Sequence, residues 1–169
     1  MTESAAAPPW RKPVLIVLVL CSPWLVVQGW IFLGAPTPEH TAMPECPEGT
    51  MNCASLSAET NVRMENDLSV LIEANLSEVR TAWEAWSEAQ GLHEVYVSED
   101  VEGAYFAHRV AITPFWRFPD DVVVGFASQG DGTQISLYSS SRLGQSDLGV
   151  NPDRLSDLHT ALLGAQTSS

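Results

Sequence analysis

The first pattern in the chain is an unbroken apolar run. Residues 14–33 are almost wholly hydrophobic, with Arg11 and Lys12 immediately before them. At 1.5 Å rise per residue the run makes a helix about 30 Å long, the thickness of a bilayer's hydrocarbon core. Beyond it the periodicity changes. Leu68, Val70 and Ile72 alternate with Ser69 and Leu71, a short strand signal. Leu76, Val79, Trp83, Trp86 and Gln90 recur at three- and four-residue steps, with Asn75 as N-cap, Glu78 at capping-box spacing and Gly91 as the stop. The two tryptophans are expected to fill the core. Strands are expected over 93–98, 104–112, 121–128 and 133–141, turned by Glu102-Gly103 and by Gln129-Gly130-Asp131-Gly132. A last helix is expected from Asn151 as N-cap and Pro152 as first helical residue. Asp153 favours its positive end, Leu155, Leu158, Leu162 and Leu163 form its apolar face, and Gly164 closes it. Consecutive strands with short turns imply an antiparallel sheet. The expected fold is therefore a two-layer α+β domain, a sheet of four to five strands with two helices on one face, preceded by one transmembrane helix.

The organisation follows: a tail over 1–13, a transmembrane helix over 14–33, a proline-rich linker over 34–45, the α+β domain over 46–165, and a disordered tail over 166–169. The positive flank of the apolar run stays in the cytoplasm, which places a single-pass protein in the cell membrane with its C-terminal domain extracytoplasmic. Cleavage as a signal peptide is opposed by Pro36 after Ala35 and by His40 two positions before Ala42. A lipoprotein signal is opposed by Leu20, which stands where a small residue should precede Cys21. The net charge of −13 lies beyond this segment, since residues 1–35 hold only Glu3 against Arg11 and Lys12. Such acidity serves solubility and argues against nucleic acid as a partner. Outside the cytoplasm Cys46 and Cys53 can form a disulfide, with Pro47 and Gly49 turning the small loop between them.

The stretch from Ser139 to Arg154 concentrates the polar chemistry. Ser139-Ser140-Ser141-Arg142-Leu143-Gly144, then Asp147-Leu148-Gly149-Val150-Asn151 and Arg154, resembles the terminal block of the DUF1499 family. Phe118-Pro119-Asp120-Asp121-Val122 is similar to that family's aromatic-x-Asp-Asp-apolar element, and Cys46-Pro47 with Asn52-Cys53-Ala54-Ser55 to its Cys-Pro…Asn-Cys-x-Ser element. The resemblance covers about residues 44–163. The cysteine loop is a residue longer than usual, and Pro152 replaces a commonly basic residue. What the resemblance implies is a location and a site, since the family has no established activity.

Two roles compete for the terminal block. In one, Arg142 pairs with Asp147, Asp120 or Asp121 and pins the loop to the sheet, as its planar fork allows. In the other, Arg142 and Arg154 face a pocket and bind an anion, assisted by serine hydroxyls and the amides at the start of the last helix, in a site that also includes Asp147, Asn151, Asp121, Ser139 and Ser141. The serines lack a nucleophile elbow and a nearby histidine. His159 lies on the last helix. Asp120 and Asp121, adjacent on a strand, should point to opposite faces. His40, His93, His108 and His159 show no ligand spacing, so no metal and no cofactor are assigned. Trp116 and Phe118 are expected in the core, with a ligand cleft or the bilayer as alternatives. The resulting expectation is a membrane-anchored, non-enzymatic module for a small ligand or an envelope protein. The alternatives are a cell-envelope hydrolase acting through Ser139, Ser141 or Asp121, and an accessory subunit of a membrane complex.

Overall fold

The computed structural model describes residues 10–99 and 103–167. Glu102 of the expected Glu102-Gly103 turn, most of the N-terminal tail and the last two residues lie outside them. Among the described residues, seven strands form one antiparallel sheet: β1 (Cys53–Leu56), β2 (Asn61–Val62), β3 (Leu71–Ile72), β4 (His93–Glu99), β5 (Ala104–Ile112), β6 (Pro119–Gln129) and β7 (Gly132–Ser141). The helices are α1 (Arg11–Gly34), α2 (Leu76–Ala89) and α3 (Val150–Leu163), followed by a short 3-10 turn at Gly164–Thr167. The spatial order is β2-β1-β7-β6-β5-β4, and β3 pairs with the free end of β7 beside β1. The sheet thus exceeds the expected four to five strands. The additions are short pieces, Cys53–Leu56 and Asn61–Val62, too brief to show an alternating pattern.

Helices α2 and α3 cover one face of the sheet. Val122, Val124 and Phe126 of β6, with Ile135 and Leu137 of β7, meet Val79, Trp83 and Trp86 of α2 and Leu155, Leu158 and Leu162 of α3. The capping box at Asn75 and Glu78 is present at the start of α2, and Gly91 takes a φ of 66° just past its end. The opposite face carries Cys53, Val123 and Tyr138, with Phe106 of β5 beside them, and is covered by Met43 and Cys46. The segment expected to be a free spacer therefore lies across the sheet as a strap. The Cys46–Cys53 disulfide ties its end to β1.

Helix α1 is long and apolar enough to cross a membrane, a property that spans share with signal sequences. Pro23 sits inside it without ending it. Its C-terminal half packs along the β5–β6 loop. Trp24 Nε1 donates to the Phe115 carbonyl at 2.8 Å, Gln28 Nε2 donates to the Trp116 carbonyl at 2.8 Å, and Trp30 meets Phe118 edge-on. Trp116 and Phe118 thus stand outside the core. Prolines bracket their loop, and Phe115 and Arg117 hold positive φ angles of 58° and 59° that turn the aromatic rings away from the sheet.

Candidate functional site

Pro119 opens β6, the one position in a strand where its missing N–H costs little. The next two residues alternate sides. Asp120 turns to the helix face and accepts from Arg154 Nη2 at 2.8 Å. Asp121 turns to the strap face and accepts from His108 Nε2 at 2.7 Å and from Arg142 Nη2 at 2.7 Å. One end of the sheet therefore holds two separate polar networks.

On the helix face, Ser139 Oγ donates to Asn151 Oδ1 at 2.7 Å, and Arg154 Nη1 donates to both at 3.0 and 2.7 Å. The Asn151 amide nitrogen reaches the Asn52 carbonyl, Ser141 Oγ and Asp147 Oδ2. Asp147 closes the network. It accepts a two-pronged contact from Arg63, at 2.7 and 3.0 Å, and hydrogen bonds from the amides of Gly149 and Asn151. Burial alone would raise the Asp147 carboxyl. Arg63, the two amides and the Asn151 side chain outweigh it and bring the pKa down to about 2. This chemistry relocates the start of α3. Gly149, at φ 93°, takes the N-cap position expected of Asn151, and Asn151 lies buried inside the first turn. The carboxylate of Asp147 captures the amides that an N-cap side chain would have bound.

On the strap face, the backbone N–H of His40 donates to His108 Nδ1 at 3.1 Å. The remaining proton of a neutral His108 then sits on Nε2 and points at Asp121. His40 packs at a tilt of 58° against His108 with ring centroids 4.8 Å apart, and its Nε2 is 3.9 Å from Asp121. Burial raises the Asp121 carboxyl, but hydrogen bonds from His108 and Arg142 more than offset this and hold it below its ordinary range. Burial, followed by the neighbouring His108, lowers His40. His40, His108 and Asp121 place three potential ligand atoms within 4.8 Å of one another. The geometry suits a hydrogen-bonded relay better than a metal. Nδ1 of His108 is already an acceptor, its Nε2 carries the proton, and Arg142 neutralises the carboxylate.

Beside the helix-face network lies a cavity of about 360 Å³. Its floor includes Asp120, Ser141, Ser146 and Asp147, and its walls are Trp30, Pro114, Trp116, Phe118, Leu143, Leu148 and Val150. Three elements build it: the C-terminal part of α1, the β5–β6 loop, and the β7–α3 loop. A larger cavity of about 520 Å³ lies under the strap beside the disulfide and is lined mainly by polar residues such as Ser55, Ser57, Thr60 and Glu59.

The seven residues singled out in the sequence do not share one cleft. Ser139, Ser141, Asp147, Asn151 and Arg154 belong to the helix-face network, whereas Asp121 and Arg142 belong to the strap face. Arg142 takes Asp121 as its partner, and Asp147 takes Arg63. His159 Nε2 donates to the Ser69 carbonyl at 2.8 Å, remote from the block. Sequence reasoning missed Arg63, His40 and His108. Arg63 stands in a stretch without periodicity and adopts a φ of 60°. His40 and His108 are 68 positions apart, joined only when the strap folds over the sheet. The one signal for Arg63 was arithmetic: a buried-looking Asp147 in a domain with so few cations needs one of them.

Among curated proteins and among solved structures, nothing matches this chain. One family does. Residues 42–162 fit DUF1499, described as a protein of unknown function, and this interval takes in Met43 and Cys46 of the strap, the whole sheet, the helix-face network, the strap-face network apart from His40, and nearly all of α3. The chain therefore belongs to the DUF1499 family.

Proposed function

We propose that this protein is a membrane-tethered extracytoplasmic module that binds a small amphipathic molecule, without transforming it, in the cavity between α1 and the domain. The observation that carries this reading is the division of that cavity into apolar walls and a polar floor. Such a lining, with a few placed polar groups, suits a ligand that has a hydrocarbon body and a hydrogen-bonding head. The floor favours particular heads. Asp120 and Asp147 are almost sealed, with side chains 2% and 1% exposed, and are already paired with Arg154 and Arg63, so the accessible polar side chains of the floor are those of Ser141 and Ser146. A neutral head rich in hydroxyls or amides fits this floor. An anionic phosphate would meet no cation in the lining.

The same geometry counts against the hydrolase reading. Ser139 is fully buried, and its hydroxyl is engaged by Asn151 and Arg154 rather than by a base. Ser141 contacts the Asn151 amide. Asp121 is held by His108 and Arg142, on the far side of the sheet from the cavity. The test is direct binding by the full chain in nonionic detergent. The probe is a monoacylglycerol carrying an NBD fluorophore on its chain, compared with the corresponding lysophosphatidic acid. Saturable binding of the glycerol form, at least tenfold tighter than the phosphate, is expected. It should be lost in Leu143→Trp, which fills the cavity. Equal affinity for the two heads, or unchanged binding by Leu143→Trp, would refute the assignment.

A further inference from the structure

We infer that the β5–β6 loop is sunk into the outer leaflet beside α1, so that the cavity opens sideways to the lipid acyl chains and takes its ligand from the membrane rather than from water. This rests on the tethered-module reading above and adds to it a depth and a route.

The depth comes from two hydrogen bonds. Trp24 and Gln28 lie ten and six residues before Gly34, the end of α1, and both bind the β5–β6 loop. At 1.5 Å per residue they sit about 15 Å and about 9 Å back along the helix. If residues 14–33 fill the hydrocarbon core, a loop in contact with Trp24 cannot rest above the headgroups. A loop kept in water would leave only the residues before Trp24, about 18 Å of helix or less, to cross a core of about 30 Å.

The loop is equipped for that position. Backbone carbonyls in hydrocarbon need internal partners, because no water is available to them. The Thr113, Pro114 and Phe118 carbonyls accept from Arg117 N, Trp116 N and Thr113 N. The Phe115, Trp116 and Arg117 carbonyls have no such partner within the loop, and α1 satisfies the first two of them, through Trp24 and Gln28. Gln28, a polar residue in an otherwise apolar helix, is thereby explained. The outward surface matches as well. Phe115 is 70% exposed, Leu148 at the cavity rim is 94% exposed, and Phe32 and Leu33 of α1 are 86% and 85% exposed. These side chains are continuous with the apolar surface of α1 itself, and the bilayer is the partner that covers both. Arg117, also exposed, has a stem long enough to carry its guanidinium up to the headgroups.

Nitroxide depth measurement on the full chain in phosphatidylcholine–phosphatidylglycerol vesicles tests this. In a Cys21→Ala background, which leaves only the disulfide cysteines, labels are placed by Phe115→Cys, by Leu18→Cys in α1, and by Gln129→Cys on an exposed turn. Power saturation with oxygen against a water-soluble nickel chelate reads each depth. Phe115→Cys and Leu18→Cys are expected to favour oxygen, and Gln129→Cys to favour nickel. Because Phe115 is largely exposed, its replacement should leave the fold intact. Leu148→Cys gives a second reading at the cavity rim, with oxygen favoured again. A buried Leu18 label with nickel-accessible labels at both 115 and 148 would overturn the inference and leave the tether standing. A nickel-accessible Leu18 label would overturn the tether itself.

Discussion

Replacing Asp147 with alanine is predicted to cost the folded protein about 3–5 kcal/mol. The side chain is almost sealed, with 1% exposure, and five contacts converge on it: both Arg63 terminal nitrogens, the amides of Gly149 and Asn151, and the Asn151 side chain. Two estimates bear on the size. The first comes from proton linkage. A carboxyl lowered from its ordinary 3.8 to about 2 contributes about 2.5 kcal/mol at neutral pH. The second comes from what the substitution leaves behind. Arg63 would keep a charge at a site where its side chain is only 20% exposed, and breaking a buried pair by removing one partner costs about 3–5 kcal/mol. The larger figure applies to Asp147→Ala because two helix-start amides also lose their acceptor. The smaller should be approached by Asp147→Asn, which keeps an acceptor of the same shape. Urea unfolding of the full chain in detergent, followed by tryptophan fluorescence, measures both. The linkage also fixes a pH window. Because the folded pKa is lowered, this contribution is complete above about pH 4 and disappears as pH falls toward 2. A double-mutant cycle with Arg63→Met isolates the pair. A loss below about 1 kcal/mol for Asp147→Ala, or no coupling to Arg63→Met, would refute the claim that this carboxylate anchors the β7–α3 loop.

Asp121→Asn should loosen the strap, since it weakens the contacts to both His108 and Arg142, and faster hydrogen exchange at the His40 amide reads it directly. The protection factor of the same amide, taken against its intrinsic exchange rate at each pH, should fall as pH drops below about 6.5. His40 has a lowered pKa, so the unfolded chain takes up the proton first and stability drops with acidification. An unchanged protection factor between pH 7 and pH 5 would contradict this. Cys46→Ser with Cys53→Ser should cost about 2.5 kcal/mol through loop-closure entropy, measured by urea melt under non-reducing conditions. Gln28→Leu leaves the Trp116 carbonyl without its donor and should lower the melting temperature in detergent by a few degrees, reflecting about 0.5–1.5 kcal/mol for one lost hydrogen bond.

The parts legible in the sequence were those carried by local signals. The capping box at Asn75 and Glu78, the turn-bounded runs that became β5, β6 and β7, and the leucine face of α3 each declare themselves within a dozen residues. The opposed directions of Asp120 and Asp121 followed from strand geometry alone. The start of α3 was misread by two residues because Asn151 and Asp147 are both competent N-terminal partners. A half-buried arginine 84 residues upstream of Asp147 selected between them. The strap was misread for a related reason. A proline-rich segment with few apolar residues looks like a spacer until the sheet offers His108 and Gly125 as docking points for His40 and Met43. The cavity was not legible at all. It is made where α1 meets two loops more than 80 residues away, and nothing local records that meeting.

The account turns on whether the α1–domain cavity holds an amphiphile. Native mass spectrometry of the full chain, released from vesicles in nonionic detergent, measures this for the wild type and for Leu143→Trp at matched stability. The wild type should carry one retained small molecule of lipid-like mass, and Leu143→Trp should carry none. A wild-type spectrum free of any adduct, or the same adduct on both proteins, would contradict it.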